Sequence, residues 1–550
     1  MFDSKRDILA LCGVAGAGVA TIVILRRALR EEQSGTIPDL KLPPGCFHPL
    51  QAFLSAGKDN INFGTGRLVL QGCDPKIGVA KMSLLGQTHV LLRDPNLVQE
   101  VLRKNHQAGG GYGKSLKDSP FDPMIDKTFG RGLFFAEDQD KSWAVAHKIL
   151  SKPFSHRGVL AMLPTMFEQA DKLVAALDRE AGSGRPVYLY DYMVKMALET
   201  IAVCSMGTSL NCFSAEEAHA FPTAFGNVTG AMLDLLNVPP QLWFLCLRTK
   251  RRMQREVQTM NAIIDDIVQK RLRGETQSST KHPDLLDIML CSDGSTKLDP
   301  ENIRSQILTF LFAGHDSTAA AMSSLVVFLL ANPRAEERVI EEIRQVVGDG
   351  EELQAHHLPK LTYLDWCLKE TLRLLPPAGS YQRMSFEEGL LLGGKWRVGR
   401  FEPVLVDIFA LHMDPETWGA DAAEFVPERW EKGPPHPYSY QPFAAGPRGC
   451  IGKEFSLLEQ KVVAVKLLQH FVLKSLAPGS WRPREGCVLI KASAPLAQPV
   501  IGIDAEFNSR QFFAGASVPV TLQGRPGRPC VRRATGGEAA AGVARRRGGA

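Results

Sequence analysis

The chain has 550 residues, 44% hydrophobic and 8% aromatic, which excludes wholesale disorder and calls for one large domain with appendages or two domains. Its net charge of +5 is misleading: residues 506–550 hold eight arginines, no lysine and two glutamates, leaving −1 on the rest, so a basic nucleic-acid-binding body is excluded. Eleven cysteines, scattered and without a Cys-x-x-Cys pair, fit reduced thiols better than a disulfide framework or a zinc site.

Ile8 to Leu25 run eighteen positions without a charge. As a helix they reach about 27 Å, barely the thickness of a bilayer core. Lys5 and Arg6 precede the run; Arg26, Arg27 and Arg30 follow it. Residues 1–30 are predicted to be an uncleaved membrane anchor with its C-terminal side cytosolic. A cleaved signal peptide stays open, because "AGAGVA" offers small residues for cleavage. Residues 31–48, through "TIPDLKLPPGCFHP", form a proline-rich hinge. The body, 49–505, alternates helical and shorter strand-like patterns without a repeat. Helical periodicity is clearest at 253–273, 302–331, 335–347, 362–375 and 453–472. Between 380 and 410, short alternating segments broken by Gly and Pro predict small sheets. A loop interrupts the body at 274–284. Residues 506–550, rich in Gly, Ala and Arg, lack periodicity and are predicted to have no fixed structure. The expected fold class is mostly α with small β-sheets.

The strongest chemical signal is "PFAAGPRGCIG" at 442–452. A thiolate that binds iron is protected by backbone N–H groups aimed at the sulfur and by a helix N-terminus behind it. That arrangement needs glycines that tolerate unusual dihedral angles. Cys450 has this setting, with a glycine-rich loop before it and the helical pattern "KEFSLLEQKVVAVKLL" after it. Arg448, two residues away, carries a planar fork suited to a carboxylate. The competing reading is a buried structural cysteine at a loop–helix junction.

Phe443, Gly446, Arg448, Cys450 and Gly452 together resemble the haem-binding signature of the cytochrome P-450 superfamily, the haem-thiolate monooxygenases. The resemblance implies the cytochrome P-450 fold and a haem b whose iron is ligated by Cys450. Phe443 would shield the sulfur and Arg448 would meet a haem propionate. "KETLR" supplies Glu370 and Arg373 at i, i+3, and "PERW" supplies Arg429; the resemblance makes these three a buried structural lock. It also assigns Arg383, in "RLLPPAGSYQR", and the i, i+4 pair Trp143 and His147, in "KSWAVAHKIL", to the propionates.

"FLFAGHDSTAAAM", inside 302–331, resembles the family's oxygen-activation segment. His315 and Asp316 in mid-helix argue against a membrane span there. The resemblance casts Asp316 as proton gate and Ser317 as hydroxyl donor, with the small Ala313 and Gly314 in the substrate pocket. The family usually carries threonine where Ser317 stands; serine keeps the hydroxyl but loses the methyl that restrains its rotamer. Thr318, about 100° further round the helix, is a weaker candidate. His147, with "GLFFAEDQDKSWAVAHKIL" and "ENIRSQILTFLFAGH", is most similar to bacterial fatty-acid hydroxylases whose haem domain is fused to a flavin reductase. This implies hydroxylation of a fatty acid or other linear lipid, with Phe134 in the substrate pocket over the haem. "GQTHVLLRD" departs from that group, offering Gln87 and Leu91 in place of its basic and tyrosyl carboxylate ligands. A sterol or terpenoid monooxygenase stays open. So does a haem-thiolate isomerase or dehydratase acting on a peroxide, although such relatives generally lose the acid–alcohol pair.

No flavin- or nicotinamide-binding region fits in 506–550, so electrons from NADPH are expected through a separate, membrane-bound flavoprotein reductase, with a cytochrome b5-like protein as a further donor. Lys148, Lys453, Lys461 and Lys466 are candidates for its basic docking face. The expected location is the endoplasmic reticulum membrane with the catalytic domain on the cytosolic face, or alternatively a mitochondrial or other organelle membrane. The expected partners are this reductase, a lipophilic small molecule and the membrane, with no nucleic acid.

Overall fold

The computed structural model describes residues 36–475, apart from 44–45, 47, 50, 53–63, 85–86, 104–110, 116–121, 182–186, 215–218, 237, 239, 279–281 and 292–297, together with the backbone of 519–524. The anchor expected at 8–25 lies outside the described residues. Among those residues no single helix is long and apolar enough to cross a membrane.

The first helices in chain order are α1 (Gly64–Gly72), α2 (Pro95–Arg103), α3 (Asp122–Phe129), α4 (Lys141–Ser151) and α5 (His156–Ala181). They are followed by α6 (Leu189–Met206), α7 (Ala220–Leu236), α8 (Leu247–Leu272), α9 (Leu285–Leu290) and α10 (Pro300–Ala331). The last are α11 (Pro333–Val346), α12 (Thr362–Leu374), α13 (Ile408–Met413), α14 (Pro415–Trp418) and α15 (Lys453–His470). The strands are β1 (Val79–Leu84), β2 (Gln87–Leu92), β3 (Tyr112–Gly113), β4 (Val187–Tyr188), β5 (Ser380–Ser385), β6 (Leu390–Leu392), β7 (Trp396–Val398), β8 (Pro403–Asp407), β9 (Phe471–Ser475) and β10 (Pro519–Gly524).

The fold is mostly helical with small sheets. α10 is its axis. Asp299 caps it by accepting from Asn302 N–H at 2.7 Å, and Pro300 occupies the first turn, where no N–H partner is needed. The helix is apolar on every side and therefore buried on every side over most of its length. α6 lies so close against it that a Cβ on Gly314 would sit 3.2 Å from Ile201. α15 packs on α10 and α5, and the aliphatic and aromatic side chains of these helices form the largest core. A second core lies around the five-stranded sheet β1-β2-β8-β5-β3, in which β2 pairs with β8 in parallel and the other pairs are antiparallel. The short segments expected between 380 and 410 are β5 to β8, with β6 and β7 forming a hairpin.

The tail reading needs correction at one place. β10 falls within 506–550 and is the middle strand of the third sheet, β4-β10-β9. "PVTLQG" alternates Val and Leu with polar residues at period two, enough for a strand once two partners flank it.

Candidate active site

Cys450 sits on a turn closed by its own N–H donating to Phe443 O at 2.8 Å and by Gly449 N–H donating to Gly446 O at 2.9 Å. Gly446 has φ +75° and lies against Leu102, whose carbonyl oxygen a Cβ would approach to 3.3 Å. Ala444 also has positive φ, +52°, a conformation that costs an L-residue about 1–2 kcal/mol. α15 begins three residues beyond the cysteine, directing its positive end toward the thiol. Burial against the loop pushes the Cys450 thiol up, while the Gly452 N–H and the Lys453 charge oppose that shift. The residue itself is exposed. A thiol kept neutral in this way is deprotonated when it coordinates a metal cation.

Next to the thiol the structure gathers positive charge. Arg448 pairs with Asp138 and donates through Nη1 to Leu133 O at 3.2 Å, while its guanidinium lies 4.1 Å over the Trp143 ring. Trp143 stacks on His147, one turn further along α4, with ring centroids 4.7 Å apart. Arg383 is buried on β5 and donates to Gln382 O at 2.9 Å. Lys114 donates to Phe134 O and lies 4.4 Å over the Phe134 ring. Burial, then Arg448 and Arg383, push the Lys114 ammonium down to about 7, against the pull of Asp138. Burial and Arg448 lower His147; burial also lowers Arg383 and Arg448. Arg448 Nη2 is buried with no partner among the described residues. Three cations thus share Asp138, with an unused guanidinium N–H among them. This surplus fits the two propionates of a haem, and Cys450 fits its iron. Sequence reasoning brought Cys450, Phe443, Arg448, Trp143, His147 and Arg383 to this site; it missed Lys114 and Asp138.

The other side of the site is a window in α10. Ser305 to Leu311 and Thr318 to Leu329 are buried, but between them Ala313 is exposed and Phe312, Gly314, Asp316 and Ser317 are half-buried. Phe134, 51% exposed, borders this window, its ring edge-on to Phe135 at 4.9 Å and 6.2 Å from Phe312. Ser317 Oγ donates to Ala313 O at 2.6 Å. Thr318, about 100° further round, is buried against α15, its Oγ1 3.0 Å from Ser456 Oγ. Asp316 accepts a hydrogen bond from the Tyr190 hydroxyl of α6. Burial pushes its carboxyl up to about 7, opposed by that bond. His315 is buried, with Nδ1 2.6 Å from Leu311 O, and burial brings it down to about 4, so it is neutral at neutral pH.

Glu370, Arg373 and Arg429 meet away from the thiol loop. Glu370 and Arg373 are fully buried and doubly bonded at 2.8 and 2.9 Å; Arg429 reaches Glu370 at 2.9 Å, as does the Trp430 indole N–H. The remaining Arg373 donors reach the carbonyls of His412, Ala422 and Glu424. The expected docking lysines divide. Lys461 pairs with Asp365 at 2.8 Å, and the buried Lys466 pairs with Asp171 at 2.6 Å, so neither presents a free charge. Lys148 and Lys453 are exposed. Leu91 is buried within β2, which pairs with β1 and β8.

The family model for cytochrome P-450 matches residues 74–491. The chain belongs to the cytochrome P-450 family. It is 33% identical over 408 residues to a self-sufficient cytochrome P-450 monooxygenase of Phanerodontia chrysosporium, covering 72% of this chain and 36% of that protein. It is 30% identical over 451 residues to a bifunctional cytochrome P-450/NADPH–P-450 reductase of Bacillus subtilis (80% and 40%), and 35% identical over 404 residues to another of Bacillus cereus (72% and 36%). The chain therefore spans 36–40% of the length of these relatives. The fold matches the crystal structure of a cytochrome P-450 haem domain with a TM-score of 0.73 at 24% identity, covering 90% of this chain and 99% of that one.

Proposed function

We propose that this P-450 is a haem-thiolate monooxygenase that hydroxylates a linear lipid, a fatty acid or an uncharged chain of similar shape, near its methyl end. The observation that carries the reading is the exposed thiol beside a surplus of cations, with an acid, a hydroxyl and an exposed phenylalanine around the α10 window. A haem held by Cys450, with its propionates toward Lys114, His147, Arg383 and Arg448, supplies the redox chemistry that activates dioxygen and inserts one oxygen atom into a C–H bond. The chain's own residues set where and how this happens. Ala313 leaves room beside the helix, whereas Gly314, expected in the substrate pocket, instead admits α6, since a Cβ there would meet Ile201 at 3.2 Å. Phe134 narrows that room and hinders the last carbon of a chain. Asp316, near half-ionised at neutral pH, can take up and release a proton, and Ser317 offers a hydroxyl one residue on. With Leu91 buried, a fatty-acid carboxylate lacks one contact, a loss of about 1.5–3 kcal/mol for a charged hydrogen bond; an alkane, alcohol or ester should bind comparably.

In this reading, NADPH-derived electrons arrive through a separate membrane-bound reductase that docks near Lys148 and Lys453, with the protein held at the endoplasmic reticulum by residues 8–25. A chain starting at Thr36 should then leave the membrane fraction yet still bind haem. The deciding experiment uses the purified haem protein. Its reduced carbon-monoxide complex should show the red-shifted band of thiolate-bound haem, which Cys450→Ala loses. With NADPH and an added reductase, linear lipids should give products hydroxylated near the methyl end. Preference for sterols or terpenoids over every linear lipid, or peroxide rearrangement without reductase, overturns the assignment.

A further inference from the structure

Asp316 has one titratable partner among the described residues, and none of the motifs contains it. Tyr190 lies in the first turn of α6, 126 positions away in sequence, and donates its hydroxyl to Asp316 Oδ1. Tyr190 is buried, and a phenol taken out of water into an apolar helix interface is stable there only with a partner. Its backbone is well anchored, since β4 pairs with β10 two residues before it, and Ile201 of the same helix packs on Gly314. Asp316 and Ser317 do not bond to each other; each is engaged elsewhere, the acid with Tyr190 and the alcohol with Ala313 O.

We propose that Tyr190 is a positioning residue for Asp316: its phenol holds the carboxylate on the α6 side of α10, away from Ser317, until the acid takes up a proton. Its catalytic meaning rests on the monooxygenase reading; its geometry does not. An ionised carboxylate is a strong acceptor and a protonated one a weak acceptor. Protonation from solvent therefore loosens the Tyr190 bond while the tyrosine keeps its own proton. The freed carboxyl can then turn about its side-chain torsions and donate its O–H to Ser317 Oγ. Orientation is thereby tied to protonation, and the acid faces the alcohol only when it has a proton to give.

Charged groups on the neighbouring helices, Glu459 of α15 apart, are engaged elsewhere: on α6 itself Glu199 accepts from the Leu210 and Cys212 N–H groups, and Lys195 lies over the Tyr192 ring. Asp122 and Asp126 of α3 pair with Arg131, Asp265 of α8 with Arg304, and Asp287 of α9 with Arg271. Glu342 of α11 accepts from backbone N–H groups of α12, Glu370 of α12 is locked to Arg373, and Glu459 of α15 faces Thr200. None of them shifts Asp316, whose environment is burial opposed by Tyr190.

Infrared difference titration of the haem-loaded protein tests the proposal, following the protonated carboxyl band that Asp316→Asn removes. The wild-type midpoint is expected near 7. Losing a donor to the ionised form favours the protonated form, so Tyr190→Phe should raise the midpoint by about one to two pH units. Fluorotyrosine at position 190, a stronger donor, should lower it. Tyr192→Phe, whose hydroxyl bonds Glu180 instead, should leave it in place. The pH profile of product formed per NADPH should move in the same direction as the midpoint. An unchanged midpoint in Tyr190→Phe with an intact haem spectrum, or an equal shift in Tyr192→Phe, overturns the proposal; should Tyr190→Phe fail to fold, the fluorotyrosine shift decides. A shifted midpoint without product from any lipid would uphold the tyrosine's hold on the acid and sink the monooxygenase reading instead.

Discussion

Two buried charged regions of this molecule contrast. Around Glu370 every donor has an acceptor: two guanidinium groups, an indole and a backbone N–H converge on one carboxylate, and the remaining Arg373 donors end on carbonyls. Around Arg448 the count does not close among the described residues, for three cations face Asp138, with Asp140 a weaker influence on Arg448, and one guanidinium N–H has no partner there. The first region is complete within the chain, as a structural lock must be. The second leaves positive charge over, as a site for an anionic ligand does. Charge completeness thus separates a brace from a binding site where burial alone does not.

The largest expected effect comes from breaking the complete region. Glu370→Ala strands two arginines and the Trp430 N–H and should cost about 3–5 kcal/mol in urea unfolding; a loss below about 1 kcal/mol would remove the contrast. In the incomplete region, Lys114→Met should leave unfolding nearly unchanged. It should weaken haem retention by about ten- to a hundredfold, read as transfer to an acceptor apoprotein. A Lys114→Met protein as unstable as Glu370→Ala would mean that the cluster is a brace after all.

Glu459 sharpens the comparison as an acid with no cation beside it among the described residues. Both carboxyl oxygens are buried without a partner among the described residues, and the neighbouring Thr200 hydroxyl already donates to Met196 O at 2.9 Å. Burial pushes this carboxyl from 4.5 up to about 8. The folded state then holds a proton that the unfolded chain releases, so its contribution to stability is full below about pH 4.5 and is lost as pH rises through 8. Glu459→Gln should flatten that fall, gaining on the wild type by on the order of 1–3 kcal/mol between pH 5 and 8.5 in paired melts. The smallest effect on stability is expected at Phe134, which is half exposed. Phe134→Ala should fold normally and move hydroxylation toward the chain end, as seen in the product distribution.

What could be read from the sequence was whatever is local. Cys450, its glycines and α15 lie within thirty consecutive residues, and the α10 acid and alcohol are adjacent. Their spacing is itself the chemistry. Lys114, Asp138 and Tyr190 carry no such pattern, because their partners lie far along the chain: Arg448 meets Asp138 across 310 positions and Tyr190 meets Asp316 across 126. Lys461 and Lys466 looked like surface charge because sequence gives no view of Asp365 or Asp171. β10 was hidden for another reason. Its six residues sit in a Gly- and Arg-rich context that favours disorder, and only the edges of β4 and β9 make it a strand.

That strand also sets a clock. Since β10 stands between β4 and β9, those two strands do not pair with each other and the sheet cannot close until residue 524 has been synthesised. At about 5–20 residues per second, the β4 edge, made before residue 190, waits on the order of half a minute for its partner. During that wait it is an open edge, of the kind that pairs with other chains. α15, with the thiol loop before it, is complete before the sheet at the foot of α6. A nascent chain stalled ahead of position 519 would therefore carry its cysteine loop while still lacking the sheet that anchors Tyr190.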